Sequence, residues 1–448
     1  MTNLRGFLCV CAALLVVATA ALAPRAAAQS AGQPPAPAQA QTADTALPNP
    51  QQAYSLPPDK LAKAIALSRI RTIVAFGGSI WGIGFLGLLL TTRGWARIDA
   101  WTQRIAHQRW LQGALFFCVF FILTTLAGLP IDLYAEHVSR AYGISVQGWA
   151  SWLGDQGKAL GITLVFGTLI LLLFNRIVRR WPRRYWFGVW LVTLPILVLI
   201  MFAEPVVIEP LFDRFEPLQQ SHPELVKQLE KVAARTGTDI PPSRMFLMKA
   251  SLKTNGLNAY VSGMGATKRI VVWDTTAGRI PDDEVLFIFG HESGHYVLRH
   301  IPKMLAGTAV GLFFIYWGCA MLAGLMVRRF GASWAVGDLS SRSGFVVLLF
   351  VISIAGFVLE PVSNAFSRHF EHQADIYGQE AIHGIVAHPR QTAVSAFNHL
   401  GEAWLEEPNP NPFIEFWLYS HPSTEHRANF AAHYDPWVNG GHEEFFAH

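Results

Sequence analysis

Apolar residues gather into six long runs separated by polar stretches. The runs fall at about 73–91, 113–133, 159–175, 186–204, 304–326 and 345–362. Each approaches the ~20 residues that a helix needs to cross a bilayer. The pattern therefore predicts four spanning helices, a polar insertion, and two more spanning helices. The insertion, residues 205–300, has ordinary amphipathic patterning. In "PELVKQLEKVAARTG" (223–237) apolar positions recur at three and four, and Gly237 supplies a stop, so a helix is expected there. "SRMFLMKA" and "LNAYVSGMGATKRIVVWDT" read as short strands, the latter a hairpin across Gly263–Thr267. Residues 367–448 are again polar and mostly helical in pattern.

The amino terminus differs in kind. Residues 1–28 combine Arg5, the apolar "FLCVCAALLVVATAAL" and Ala26-Ala27-Ala28 before Gln29, the layout of a secretory signal; an uncleaved first span is the alternative. Residues 29–58, rich in Pro, Ala and Gln, read as a linker.

Composition sharpens the membrane reading. The 448 residues are 52% apolar and only 15% charged, against about a quarter charged in soluble domains. The formal charge of +4 is small, and no Lys/Arg run forms a nucleic-acid footprint, so no nucleic-acid partner is expected. Cys9, Cys11, Cys118 and Cys319 lie in apolar runs, which argues against a disulfide framework or a thiolate metal site. The arginines are unevenly placed. Arg93, Arg97, Arg104, Arg109, Arg176, Arg179, Arg180, Arg183, Arg184, Arg328, Arg329 and Arg342 lie in three loops that share one face by span count. The opposite loop, 134–158, has only Arg140 and Lys158. The positive-inside rule places the arginine face in the cytoplasm, so the polar insertion faces outward, into a bacterial periplasm.

Candidate chemistry sits at "FGHESGHYVLRH" (289–300). On a helix, His291 and His295 are one turn apart on one face, with Glu292 beside them. Zinc suits such a pair because it takes three protein ligands and leaves a fourth position for water. The motif is short and weak alone, and ordinary solvated histidines are the alternative reading of His295 and His300. A third ligand is offered by "NAFSRHFEHQADIYG" (364–378), where Glu371 and Asp375 are again four apart. Glu371 would bind the metal, and Asp375 would accept a hydrogen bond from the far nitrogen of a ligating histidine. A surface acidic pair is the competing reading, and His369 and His372 are rival ligands.

Taken together, "HESGH", two apolar spans, "SRHFEHQAD" and "YSHPSTEHR" resemble the zinc-dependent type I CAAX prenyl proteases and their bacterial membrane relatives. "LPIDLYAEHVSRAYGIS", "EPLFDRFEPL" and "NGLNAYVSG" resemble further segments, and the likeness spans most of residues 59–430. Ser293 stands where many relatives have leucine. The resemblance implies a mainly α fold: a multi-pass helical bundle enclosing a chamber, with an inserted α+β zinc protease domain of the gluzincin type. It implies one zinc ion per chain held by His291, His295 and Glu371, with Glu292 as general base. It further implies that Asn258 bonds the substrate, His421 contacts the oxyanion and Arg427 supports this region. Asp132, Glu204 and Glu360, at span ends, are candidates to line the chamber, with interface anchoring as the alternative.

The expected organisation is a signal or first span (1–28), a linker (29–58) and four spans (59–204). A protease domain (205–300), two spans (301–366) and a third-ligand helix with a polar tail (367–448) follow. The expected function is a membrane zinc endopeptidase acting on membrane-associated or prenylated-type polypeptides. The alternatives are a quality-control protease without CAAX specificity and a non-catalytic metal-binding scaffold.

Overall fold

A computed structural model describes residues 52–446 apart from 239, 264, 439 and 440. The expected signal or first span, and the linker up to residue 51, lie outside the described residues.

Among the described residues, six helices are long and apolar enough to cross a membrane. Four come in sequence: α1 (Pro58–Thr91), α3 (Arg109–Ala141), α4 (Trp149–Arg180) and α5 (Tyr185–Phe212), with the short amphipathic α2 (Gly94–Ile105) between the first two. Aromatic side chains knit them together: Trp95, Phe116, Phe117, Phe120 and Phe121 are fully buried, and Phe117 meets Phe345 of the sixth span edge-on at 5.8 Å. Many other large apolar side chains point outward, among them Ile73, Leu126, Leu169 and Phe314, as lipid-facing positions must.

The polar insertion begins with β1 (Phe215–Pro217) and α6 (Pro223–Thr236), which ends on left-handed Gly237. Three strands follow: β2 (Met245–Met248), β3 (Ala259–Ser262) and β4 (Arg269–Trp273). They form one sheet in the order β1-β2-β4-β3. β2 and β4 run parallel, whereas β3 and β4 pair antiparallel with Ala259 opposite Val272 and Ser262 opposite Arg269. Strand β3 is therefore an edge. Then come α7 (Asp282–Val297) and the fifth span α8 (His300–Trp334). The sixth span and the helix carrying Glu371 are one uninterrupted helix, α9 (Arg342–Ile382). Helices α10 (Pro389–Trp404), α11 (Pro412–Leu418) and α12 (Thr424–His433) complete the chain.

The linker expectation needs correction at its carboxyl end. Tyr54 is fully buried in the core of the polar domain, beside Leu218, Phe287 and Phe397. The backbone N–H groups of Ala53 and Tyr54 both donate to the Glu425 carboxylate on α12. One aromatic ring and two satisfied amides fix a segment whose Pro-rich composition gave no sign of it.

The three arginine-bearing loops meet at one end of the bundle. Arg93 donates to the Ser333 carbonyl at 2.9 Å, Arg342 to Asp99 at 2.6 Å, and Asn175 to the Ser340 carbonyl at 3.4 Å. The other end joins the polar domain: Ser145, after α3, bridges to Thr254, and Lys253 pairs with Asp155 of α4 at 2.8 Å.

Candidate metal centre

Two helices build the site. In α7 the helical period puts His291 and His295 on one face, with ring centroids 5.0 Å apart. Opposite lies α9, and glycines let the two backbones approach. A Cβ on Gly378 would stand 2.9 Å from the His291 amide nitrogen, and one on Gly290 would stand 3.1 Å from the Gly378 carbonyl oxygen. Glycine at this crossing is what lets a carboxylate on α9 reach imidazoles on α7.

The reach is sufficient. His291 Nε2 lies 3.3 Å from His295 Nε2 and 3.3 Å from Glu371 Oε2; His295 Nε2 lies 3.5 Å from Glu371 Oε1. All three residues are buried. Ligands at zinc's usual bond lengths of about 2.0–2.1 Å stand about 3.3 Å apart around a tetrahedron. The spacing fits a zinc ion. So does the donor chemistry of two imidazoles and a carboxylate, and so does Glu371 Oε2, which is buried and makes no hydrogen bond. Among the described residues, no other group of three histidine, cysteine or acidic side chains is close enough to share an ion. The structure does not bring the rivals to this cluster: His369 and His372 are exposed, and His372 packs against Phe430 at 4.5 Å.

The surrounding polar groups are paired. Asp375 accepts from His291 Nδ1 at 2.9 Å. Arg427 of α12 grips Asp375 with two nitrogens, at 2.9 and 2.6 Å, and lies 3.6 Å from Glu371. His421 Nε2 lies 3.2 Å from Glu371 Oε1, and its Nδ1 meets Ser420 Oγ at 2.9 Å. Glu292 is partly buried beside the cluster, and its carboxylate accepts from the Val261 N–H of β3. Burial pushes its carboxyl above the usual range. The Asn258 backbone is fixed by Thr276, at 2.8 Å in both directions, which anchors the entry to β3. Asp132, Glu204 and Glu360 are part-buried and lie inside α3, α5 and α9 rather than at the helix ends.

Two neighbours were not singled out as site residues in the sequence. His300, buried at the start of α8, meets His295 Nδ1, and Gln373 meets His300. A histidine five residues beyond a metal motif carries no helical-face signal, so only the break between α7 and α8 reveals it.

One consequence concerns protons. Burial disfavours a charged His291, but the hydrogen bond to Asp375 and the adjacent Glu371 carboxylate outweigh this and push it up to about 9 without metal. Burial instead drives His295 down to about 3. At pH 7 the metal-free site therefore holds one proton that an ion must displace. Zinc affinity, measured by chelator competition, is expected to weaken about tenfold per pH unit from about pH 9 to 6, one proton per ion. A flat profile would contradict this.

A buried pair of imidazoles on α7, with a carboxylate converging from the helix of the sixth span, defines a metallohydrolase centre in a membrane protein. The chain belongs to peptidase family M48: a family model of that description matches residues 219–435, and one described as the CAAX prenyl protease N-terminal domain of five membrane helices matches residues 39–214. It is 34% identical to the metalloprotease YhfN of Bacillus subtilis over 84% of this chain and 86% of that one. It is 26% identical to CAAX prenyl protease 1 of Saccharomyces cerevisiae over 68% of each. The crystal structure of S. mikatae Ste24p shares the fold, with a TM-score of 0.70, 23% identity, and coverage of 84% of this chain and 93% of that one. The protein is thus a multi-pass membrane zinc metalloprotease, with the mainly α, chamber-forming fold that the sequence suggested.

Proposed function

We propose that the protein is an endopeptidase for polypeptides at or drawn from the bilayer, with one zinc ion per chain held by His291, His295 and Glu371. The observation that supports this most is the triangle of ligand atoms 3.3–3.5 Å on a side, with Glu292 beside it and bonded to an edge strand. Zinc bound there supplies an electrophile for the scissile carbonyl and lowers the pKa of a bound water.

The remaining roles belong to the chain. Glu292, its carboxyl raised by burial, accepts the proton of the attacking water and delivers it to the leaving amine. Substrate lies extended along β3, whose backbone pairing is indifferent to sequence. Asn258 at the entry to that strand and His421 donate to the carbonyl oxygen as negative charge develops. Asp375, neutralised by Arg427, keeps Nδ1 of His291 protonated so that Nε2 faces the ion.

The active site faces the periplasm in this reading. The three arginine-bearing loops are bonded together at the end of the bundle away from the polar domain, and arginine-rich loops stay in the cytoplasm. Reporters fused after Gly344 and at the carboxyl terminus should read cytoplasmic and periplasmic respectively; the reverse pattern would refute the placement. That side of the membrane argues against CAAX specificity and leaves quality control of membrane proteins and maturation of a specific substrate as the two roles open to it. The names of the eukaryotic relatives favour a second reading, a prenylated carboxyl terminus as substrate. Proteomics of polypeptides retained by Glu292→Gln separates the two: extracted membrane and envelope proteins support the first, prenylated chains the second.

A further inference from the structure

We infer that His300 and Gln373 are positioning residues that fix the tautomer of His295. The inference rests on the reading of His295 as a ligand and goes beyond it.

The backbone is arranged for this contact. In a continuous helix, residues five apart point about 140° away from each other, since each step turns about 100°. His295 and His300 would then diverge. Helix α7 instead ends at Val297, and Arg299 takes a left-handed conformation with φ 57°. That conformation is unfavourable for a residue with a side chain. The chain restarts as α8 on His300, whose ring is buried and packs against Phe370 of α9 at 4.6 Å. Nδ1 of His300 then lies 3.0 Å from Nδ1 of His295, and Nε2 of His300 lies 3.0 Å from Oε1 of Gln373.

Polarity follows from the donors. The Gln373 carbonyl oxygen only accepts, so His300 carries its proton on Nε2. Its Nδ1 is then a bare acceptor, and the proton between the two rings belongs to His295 Nδ1. That leaves Nε2 of His295 unprotonated, and this is the atom facing His291 and Glu371. The opposite polarity, with the Gln373 amide nitrogen donating, would put the proton on His295 Nε2 and block ligation. Gln373 sits two residues from Glu371 on α9, so one helix presents both the carboxylate and the group that orients the second imidazole.

The two imidazoles are thus held differently. His291 leans on a carboxylate that Arg427 neutralises, and His295 leans on a neutral ring. Neither partner adds uncompensated negative charge beside the ion.

The test uses full-length purified protein. Zinc affinity is measured by chelator competition, and the cobalt(II) form by its visible absorption spectrum. His300→Phe keeps the ring against Phe370 but removes the acceptor; it should bind zinc 10–100-fold more weakly and shift the cobalt bands. His300→Asn places an amide oxygen near the Nδ1 position and should recover most of both. Should His300→Phe fail to fold, Gln373→Met removes the outer acceptor at a part-buried position and should weaken zinc in the same direction. Wild-type affinity and spectrum in His300→Phe, or in Gln373→Met where the former does not fold, would overturn the assignment. So would equal losses in His300→Phe and His300→Asn. If wild-type protein itself binds neither zinc nor cobalt at one ion per chain, it is the ligand set that fails, a separate outcome.

Discussion

Glu292→Gln is expected to lose about 10²–10⁴-fold in turnover, the range for removal of a positioned general base, while retaining zinc. The substitution conserves shape and removes only the ability to accept the water's proton. Glu292 is no member of the ligand triangle, so the ion should stay. Its carboxylate is bonded to the Val261 N–H of β3, which places the base between the ligands and the strand along which substrate is proposed to lie. A glutamine can keep that bond through its carbonyl oxygen, so binding should survive. Cleavage of casein by the zinc-loaded variant at the wild-type rate would remove Glu292 from the chemistry. A variant without zinc would instead make it a determinant of the site's integrity.

Glu371→Ala is expected to abolish stoichiometric zinc and with it all activity. The reason is geometric. The two imidazoles come from one helix, and the third donor comes only from α9. Truncation removes the sole anion of the triangle, so affinity should fall by more than the roughly 10–100-fold seen when an outer partner of a ligand is removed. It also leaves His421 facing a void, since Glu371 Oε1 is 3.2 Å from that ring. Metal analysis after gel filtration decides the matter: one zinc per chain in Glu371→Ala would exclude it as a ligand. Asp375→Asn is the control, because it keeps all three ligands and should retain more of the metal.

Much of the fold could be read from the chain because lipid imposes a simple rule. Runs near twenty apolar residues read as spans, and all six lie within long helices. The hairpin at Gly263 and the helix stop at Gly237 were equally legible, since both need left-handed backbone that glycine supplies cheaply. Glu371 was harder. Its spacing with Asp375 marked a helical face, but spacing on one helix says nothing about a partner helix eighty residues away. The close crossing at Gly290 and Gly378 brings its carboxylate to the two imidazoles, and single glycines inside helices carry no such message beforehand. His421 and Arg427, in and after a loop, gave no periodic signal and were recognisable only by resemblance. His300 was hidden by the left-handed turn at Arg299, since arginine does not advertise such a turn. Tyr54 was hidden by its Pro-rich neighbours, although its ring belongs to the core.

Zinc-edge X-ray absorption of the purified wild-type protein tests the convergence of α7 and α9 most directly. The account predicts one zinc per chain in a four-coordinate shell of nitrogen and oxygen at about 2.0–2.1 Å, with the outer-shell scattering of two imidazoles. A sulfur shell, a single imidazole, or the absence of stoichiometric zinc would contradict it.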